Sequence, residues 1–252
     1  MKNKKHLLRI TISALFIAIS IILTRFFVFP YGPTYFRLTL GNVPIILGGI
    51  LMGPLYGAII GFGADIIGAT LFPSANFLVF PMISSILYGA IPGLFFMLLR
   101  KYKQKIKFPL VYPVITALYL GAALYFVFQS SLTNPFDRQV SWTLTPLVKI
   151  ISIVISLVFV SGLLLVIYFT DKKLKFKDNY QNFLPSDFAL TIIVTELLVD
   201  VLYTPIWKTF FFGLPYFFTL FMHVIILLTL LILKTMLINL IAYSFSKSKV
   251  NI

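Results

Sequence analysis

No cysteine occurs in the 252 residues, which excludes disulfides, thiolate nucleophiles and cysteine-ligated metal centres. Acidic residues are scarce, with seven Asp and Glu against 21 Lys and Arg. There are two histidines, His6 and His223, and neither an HExxH pair, a second aspartate-rich motif nor a Ser-His arrangement is present. An enzyme is excluded on that ground, and no metal or cofactor is expected. The GxxxxGK[ST] loop is missing too, so any ATP-driven step needs another chain. Charged residues make up only 11% of the chain, too few to cover the surface of a water-soluble domain.

What is abundant is apolar. Hydrophobic residues reach 60% and mean hydropathy is +1.00, the composition of an integral membrane protein. The apolar runs are continuous rather than alternating, so the spans are helices and not barrel strands. A bilayer core of about 30 Å takes roughly 20 residues per helix. The sequence is read as one all-α transmembrane domain over 1–252, a polytopic bundle of about eight spans: 7–29, 38–53, 54–71, 76–99, 109–128, 144–170, 188–211 and 216–245. The first run is too long for a signal-peptide core, and Arg25-Phe26-Phe27 is no cleavage site.

Orientation follows from the basic residues. With both termini cytoplasmic, the inner segments hold Lys2, Lys4, Lys5, Arg9, Arg100, Lys101, Lys103, Lys105, Lys107, Lys172, Lys173, Lys175, Lys177, Lys247 and Lys249, fifteen of the 21. The outer side keeps Arg25, Arg37, Arg138 and Lys208. This is the positive-inside pattern, N-in and C-in. It also accounts for the net charge of +14 by contact with anionic lipid, without nucleic acid. The abundance of Asn, Lys, Ile and Phe points to a bacterial cell membrane from an AT-rich genome.

The stretch 37–68 is dense in glycine: Gly41, Gly48, Gly49, Gly53, Gly57, Gly61, Gly63 and Gly68. In lipid, small residues let helix backbones approach, so these spans form a compact bundle. Gly57, Gly61 and Gly68 fall on or near one helix face, and Gly53-Pro54 ends one helix and starts the next. Ala14 and Ala18, four apart on the first span, make a second small-residue stripe. Three intramembrane groups, Glu196, Asp200 and Lys234, sit at similar depth and are expected to form an ion pair.

The run RLTLGNVPIILGGILMGPLYGAIIGFGADIIG, followed by LFPSANFLVFPMISSILYGAIPGLFF, resembles the substrate-binding S components of energy-coupling factor (ECF) vitamin transporters, and within them the folate family. The resemblance is carried by Arg37, Gly41, Pro44-Ile45, Gly53-Pro54, Gly57-Ala58, Ala64-Asp65, Gly68 and Phe72-Pro73, and more faintly by Trp207, Gly213 and Pro215. It covers roughly 8–107 and 188–245, and implies a six-helix core plus an extra helical pair in 108–187. The resemblance implies capture of folate or a related pterin from outside, together with a transmembrane coupling protein and two ATPase subunits. It also makes Ala14 and Ala18 the docking face. Where the folate family commonly has an arginine in its last helix, this chain has His223. An S component for thiamin, riboflavin or a queuosine precursor, or a stand-alone secondary transporter, remains the alternative.

A flat pterin with an anionic tail asks for aromatic walls, placed polar groups and a cation. Tyr31, Tyr35, Phe36, Phe72, Phe77, Trp207, Phe211 and Phe212 lie near the expected outer boundary, with Arg37 and Lys208 as cations. Asp65, about 9 Å from the outer end of its helix, could accept hydrogen bonds from an amino edge. Asn76 and His223 complete the expected substrate-binding set.

Overall fold

The computed structural model describes residues 2–30, 36–72, 79–102, 132–133, 141–142, 146–174, 183–214 and 216–247. Among them the chain is a helical, multi-pass membrane protein: α1 (Lys2–Arg25), α2 (Asn42–Met52), α3 (Pro54–Leu71), α4 (Val79–Tyr102), α5 (Pro146–Lys173), α6 (Pro185–Glu196), α7 (Thr204–Phe212) and α8 (Tyr216–Lys247). A π-helical segment, Leu197–Tyr203, joins α6 to α7, so that Pro185–Phe212 runs on as one rod. Five stretches among the described residues are long and apolar enough to cross a membrane: Lys5–Arg25, Pro54–Leu71, Val79–Tyr102, Pro185–Phe212 and Phe218–Lys247. α5 covers the span expected at 144–170, and the span expected at 109–128 lies outside the described residues.

The expected second span, 38–53, is not a spanning helix. Its first residues form β2 (Arg37–Thr39), antiparallel to β1 (Val28–Pro30), with Val28 opposite Thr39 and Pro30 opposite Arg37. α2 then has only 11 residues, about 16 Å at 1.5 Å per residue, or half the bilayer core. Such a helix is tolerable in lipid only if protein surrounds it, and every residue from Val43 to Met52 is buried. Side chains of α1 and β2 satisfy the irregular backbone where α2 begins. Ser20 Oγ donates to the Gly41 carbonyl at 2.8 Å, and Thr39 Oγ1 donates to the Leu23 carbonyl at 3.1 Å while accepting from the Gly41 N–H. A second short ladder pairs β3 (Leu132–Thr133) with β4 (Ser141–Trp142).

The turn into α3 is the expected one: Gly53 takes φ 96°, which a side chain would disfavour, and Pro54 opens the helix. Packing of α2, α3 and α4 is backbone against backbone. A methyl group at Gly57 would strike the Gly89 carbonyl, one at Gly61 the Ser85 carbonyl, and one at Gly93 the Pro54 backbone. Gly68, on the same stripe as Gly57 and Gly61, faces Arg25 and Ile21 of α1 instead. The stripe thus serves two partners, α4 and α1. At the opposite pole of the bundle, Asp171 accepts from the Ser186 N–H and Asp187 from the Leu184 N–H, both at 2.7 Å. The positive end of α6 is therefore met by two carboxylates.

Candidate functional site

The end of the bundle carrying the β1–β2 hairpin, where α1, α3 and α7 finish and α4 and α8 begin, is the one the charge pattern assigns to the outside. Its central feature comes from a local break. In Tyr203-Thr204-Pro205 the proline ring would collide with the carbonyl four residues earlier in an α-helix. The π-helical turn before it supplies room, and Thr204 Oγ1 donates to the Val199 carbonyl, five residues back, at 2.8 Å. Each residue of an α-helix advances about 100°, so one extra residue in the turn re-aims everything after it. Trp207 and Lys208 are thereby turned inward and buried.

Lys208 Nζ lies 3.0 Å from His223 Nε2 and 4.5 Å from the centre of the Phe36 ring. An ammonium can only donate, so His223 Nε2 accepts, and the neutral ring carries its proton on Nδ1. That nitrogen stands 3.7 Å from Asp200 Oδ1, on the π-helical turn. The gap is too wide for a hydrogen bond. One helical turn before Asp200, Glu196 Oε1 accepts from Lys234 Nζ at 2.6 Å, forming the expected ion pair with both side chains buried. Tyr88 lies beside this pair, its ring centre 6.0 Å from Lys234 Nζ.

Charge here is balanced. Asp200 and Glu196 are matched by Lys208 and Lys234, around a neutral histidine. Arg37, exposed on β2 and within electrostatic reach of Lys208, adds a further positive charge toward the rim. Aromatic rings enclose the group: Phe36, fully buried, meets Phe218 edge-on and His223 at 5.6 Å, while Phe80 stacks on Trp207 and touches Phe211. Two buried polar atoms here, Trp207 Nε1 and His223 Nδ1, lack a hydrogen-bond partner among the described residues, whereas Tyr88 and Glu196 both hydrogen-bond to Asp200. Unpaired polar groups are costly in a low-dielectric interior, so a site that leaves them open is suited to a polar ligand.

Of the residues expected from the sequence, the structure brings Trp207, Lys208 and His223 together, with Arg37 nearby. Asp65 does not join them; it is half-buried on α3, with Arg25 as its electrostatic partner across the α1–α3 contact. Phe72 is exposed, its ring edge-on to Phe26 at 5.3 Å. Tyr35 and Asn76 lie outside the described residues, as do Tyr31 and Phe77. Sequence reasoning missed Asp200, which it grouped with Lys234; the Thr204-Pro205 step was the signal that the helix changes phase there. Ala14 and Ala18 are both exposed on α1, in line with Leu7, Ile10, Leu15 and Ile22.

A family model described as ECF transporter, substrate-specific component matches residues 8–198. Neither the curated proteins nor the solved structures contain a match to the chain.

Proposed function

We propose, for a chain that belongs to the family of ECF transporter substrate-specific components, that its substrate is folate or a closely related pterin captured from outside. As a member of that family it is the membrane-embedded substrate-binding subunit of a vitamin transporter, working with a coupling protein and ATPases rather than catalysing a reaction. The observation that carries the substrate reading is the buried Lys208–His223–Asp200 group walled by Phe36, Trp207 and Phe80, with Arg37 toward the rim. A flat heterocycle stacks on such walls, its edge meets the polar atoms, and an anionic tail reaches Arg37. Tyr35 and Asn76 belong to the same proposed substrate-binding set. The reading keeps the N-in and C-in orientation, with 108–187 as an extra helical pair.

Titrating the purified chain with folate, thiamin, riboflavin and a queuosine precursor tests the substrate. Folate should bind most tightly; tight binding of another vitamin, with folate inert, overturns it. The exposed Ala14–Ala18 stripe is the proposed contact with the coupling protein. Ala14→Trp or Ala18→Trp should block co-purification with the ATPases and abolish uptake while leaving vitamin binding intact. Uptake by the chain without those partners would favour a stand-alone transporter instead.

A further inference from the structure

The inner end of the α1–α3 contact carries a polar cluster that the substrate site does not use. Arg9 on α1 and Tyr56 on α3 are both half-buried, and the Arg9 guanidinium lies over the Tyr56 ring, 5.6 Å from its centre. His6, one turn before Arg9, stands edge-on to the same ring, with Nδ1 3.1 Å from the Tyr56 hydroxyl. Lys5, also one turn before Arg9, is exposed. Among the described residues no carboxylate lies within salt-bridge distance of Arg9 or Lys5. Asp171 and Asp187, the acidic residues described at this end, accept from N–H groups at the start of α6. Arg9 Nε is buried and has no hydrogen-bond acceptor. A guanidinium so placed is only partly hydrated, and an anion meeting its open side gains more than at a fully solvated lysine.

The surroundings say what carries that anion. Leu7 and Ile10 on α1, and Leu55 and Ile59 on α3, flank the cluster and are exposed. Lys5 and Pro54 open their apolar spans, so Arg9 and Tyr56 lie about 6 Å and 3 Å inside them at 1.5 Å per residue. That depth is the boundary between headgroups and acyl chains, on the side the charge pattern assigns to the cytoplasm. We infer that Arg9, Lys5, His6 and Tyr56 hold the phosphodiester headgroup of one anionic phospholipid of the inner leaflet, its acyl chains lying along the apolar flank. Phosphate oxygens accept from the terminal nitrogens of Arg9 and from the Lys5 ammonium, while the Tyr56 ring keeps the guanidinium plane in place. A water-soluble anion or an acidic peptide gains nothing from the apolar flank. The general attraction of basic loops to the leaflet, by contrast, belongs to no single residue.

The test adds phosphatidylglycerol or phosphatidylcholine of matched acyl chains to the full-length chain in detergent. Bound lipid is read by native mass spectrometry, and stabilisation by the thermal midpoint. Wild type should hold phosphatidylglycerol about 10-fold more tightly. Arg9→Met should remove most of that preference, and Arg9→Lys should keep only part of it. Tyr56→Leu removes the ring but no charge, and should still weaken phosphatidylglycerol roughly threefold or more. Lys172→Met takes the same unit of charge from the exposed inner end of α5, and should change binding by less than about twofold. Equal retention of the two lipids by wild type overturns the inference without any variant. An Arg9→Met variant no weaker than Lys172→Met also overturns it, leaving only diffuse attraction. If inorganic phosphate or glycerophosphoglycerol, the headgroup without chains, displaces the lipid at equal concentration, the occupant is a soluble anion and the lipid assignment fails. Folate affinity should be the same in Arg9→Met and wild type, because the cluster lies at the end of the bundle opposite the substrate site.

Discussion

The two halves of this bundle solve the problem of helix association in lipid in opposite ways. In α2, α3 and α4 the contacts are made by glycines, with Gly49, Gly57, Gly61, Gly89 and Gly93 letting backbone meet backbone. In α6, α7 and α8 buried polar side chains take that place, Glu196 bonding to Lys234 and Lys208 to His223. Water cannot drive apolar helices together within a membrane, leaving close packing and polar contacts. A backbone contact has no reactive group to offer a ligand. The glycine half is therefore a platform, and the polar half holds the groups on which the proposed recognition depends.

The sharpest break in this contrast comes at Gly89. A side chain there meets the Gly57 carbonyl and the Ala58 nitrogen, both backbone, neither able to move without shifting α3. Gly89→Val should leave no recoverable folded chain, measured as monodisperse protein after detergent extraction. Wild-type yield and thermal midpoint would mean that α3 and α4 are not in backbone contact.

The polar half should respond to charge rather than to volume. Lys234→Met strands Glu196, which is 1% exposed, and breaking such a pair from one side costs about 3–5 kcal/mol. Thermal unfolding should show that loss, and Lys234→Met combined with Glu196→Gln should recover part of it. Strictly additive losses in the double variant would mean that the two groups do not interact.

How much of this was legible beforehand follows the same division. Glycine spacing and Gly53-Pro54 are local signals, and they located the packing of α2 to α4 and the turn between them. The polar half depends on helix phase. Glu196 and Asp200, four apart, look equivalent on a helix, and only the π-helical turn and the three-dimensional positions of His223 and Lys234 separate their roles. Likewise, apolar content alone could not tell that α2 is half a span, because Arg37-Leu38-Thr39 pairs with the strand Val28–Pro30. Asp65 was expected to face the binding cavity, but its electrostatic partner, Arg25, lies on another helix.

Arg37 offers a smaller and more selective effect. It is exposed on β2, so Arg37→Ala should leave the thermal midpoint unchanged. Folate affinity should nonetheless fall roughly 10- to 100-fold, the size expected for a lost charge-assisted hydrogen bond to a carboxylate. Lysine should restore only part of that, since it lacks the planar two-pronged donor. Equal affinity of Arg37→Ala and wild type, by titration calorimetry, would remove Arg37 from the site.

The smallest effect is expected at Gly162, the glycine that α5 presents to α8. A methyl group there meets the end of a side chain, Ile232 Cδ1, at 3.3 Å, rather than a backbone carbonyl. Isoleucine can give way by a few tenths of an ångström by adjusting its terminal rotamer, so no helix need move. Alanine also removes the flexibility that glycine carries into a helix interior, worth about 0.5–1 kcal/mol. These two contributions oppose each other, and Gly162→Ala should change the unfolding free energy by less than about 1 kcal/mol in either direction. Set beside Gly89→Val and a matched Gly89→Ala, this measurement separates glycine as a contact from glycine as a bystander. If Gly162→Ala destabilises as strongly as Gly89→Ala, α5 is packed on α8 as closely as α3 on α4, and the contrast between the halves collapses.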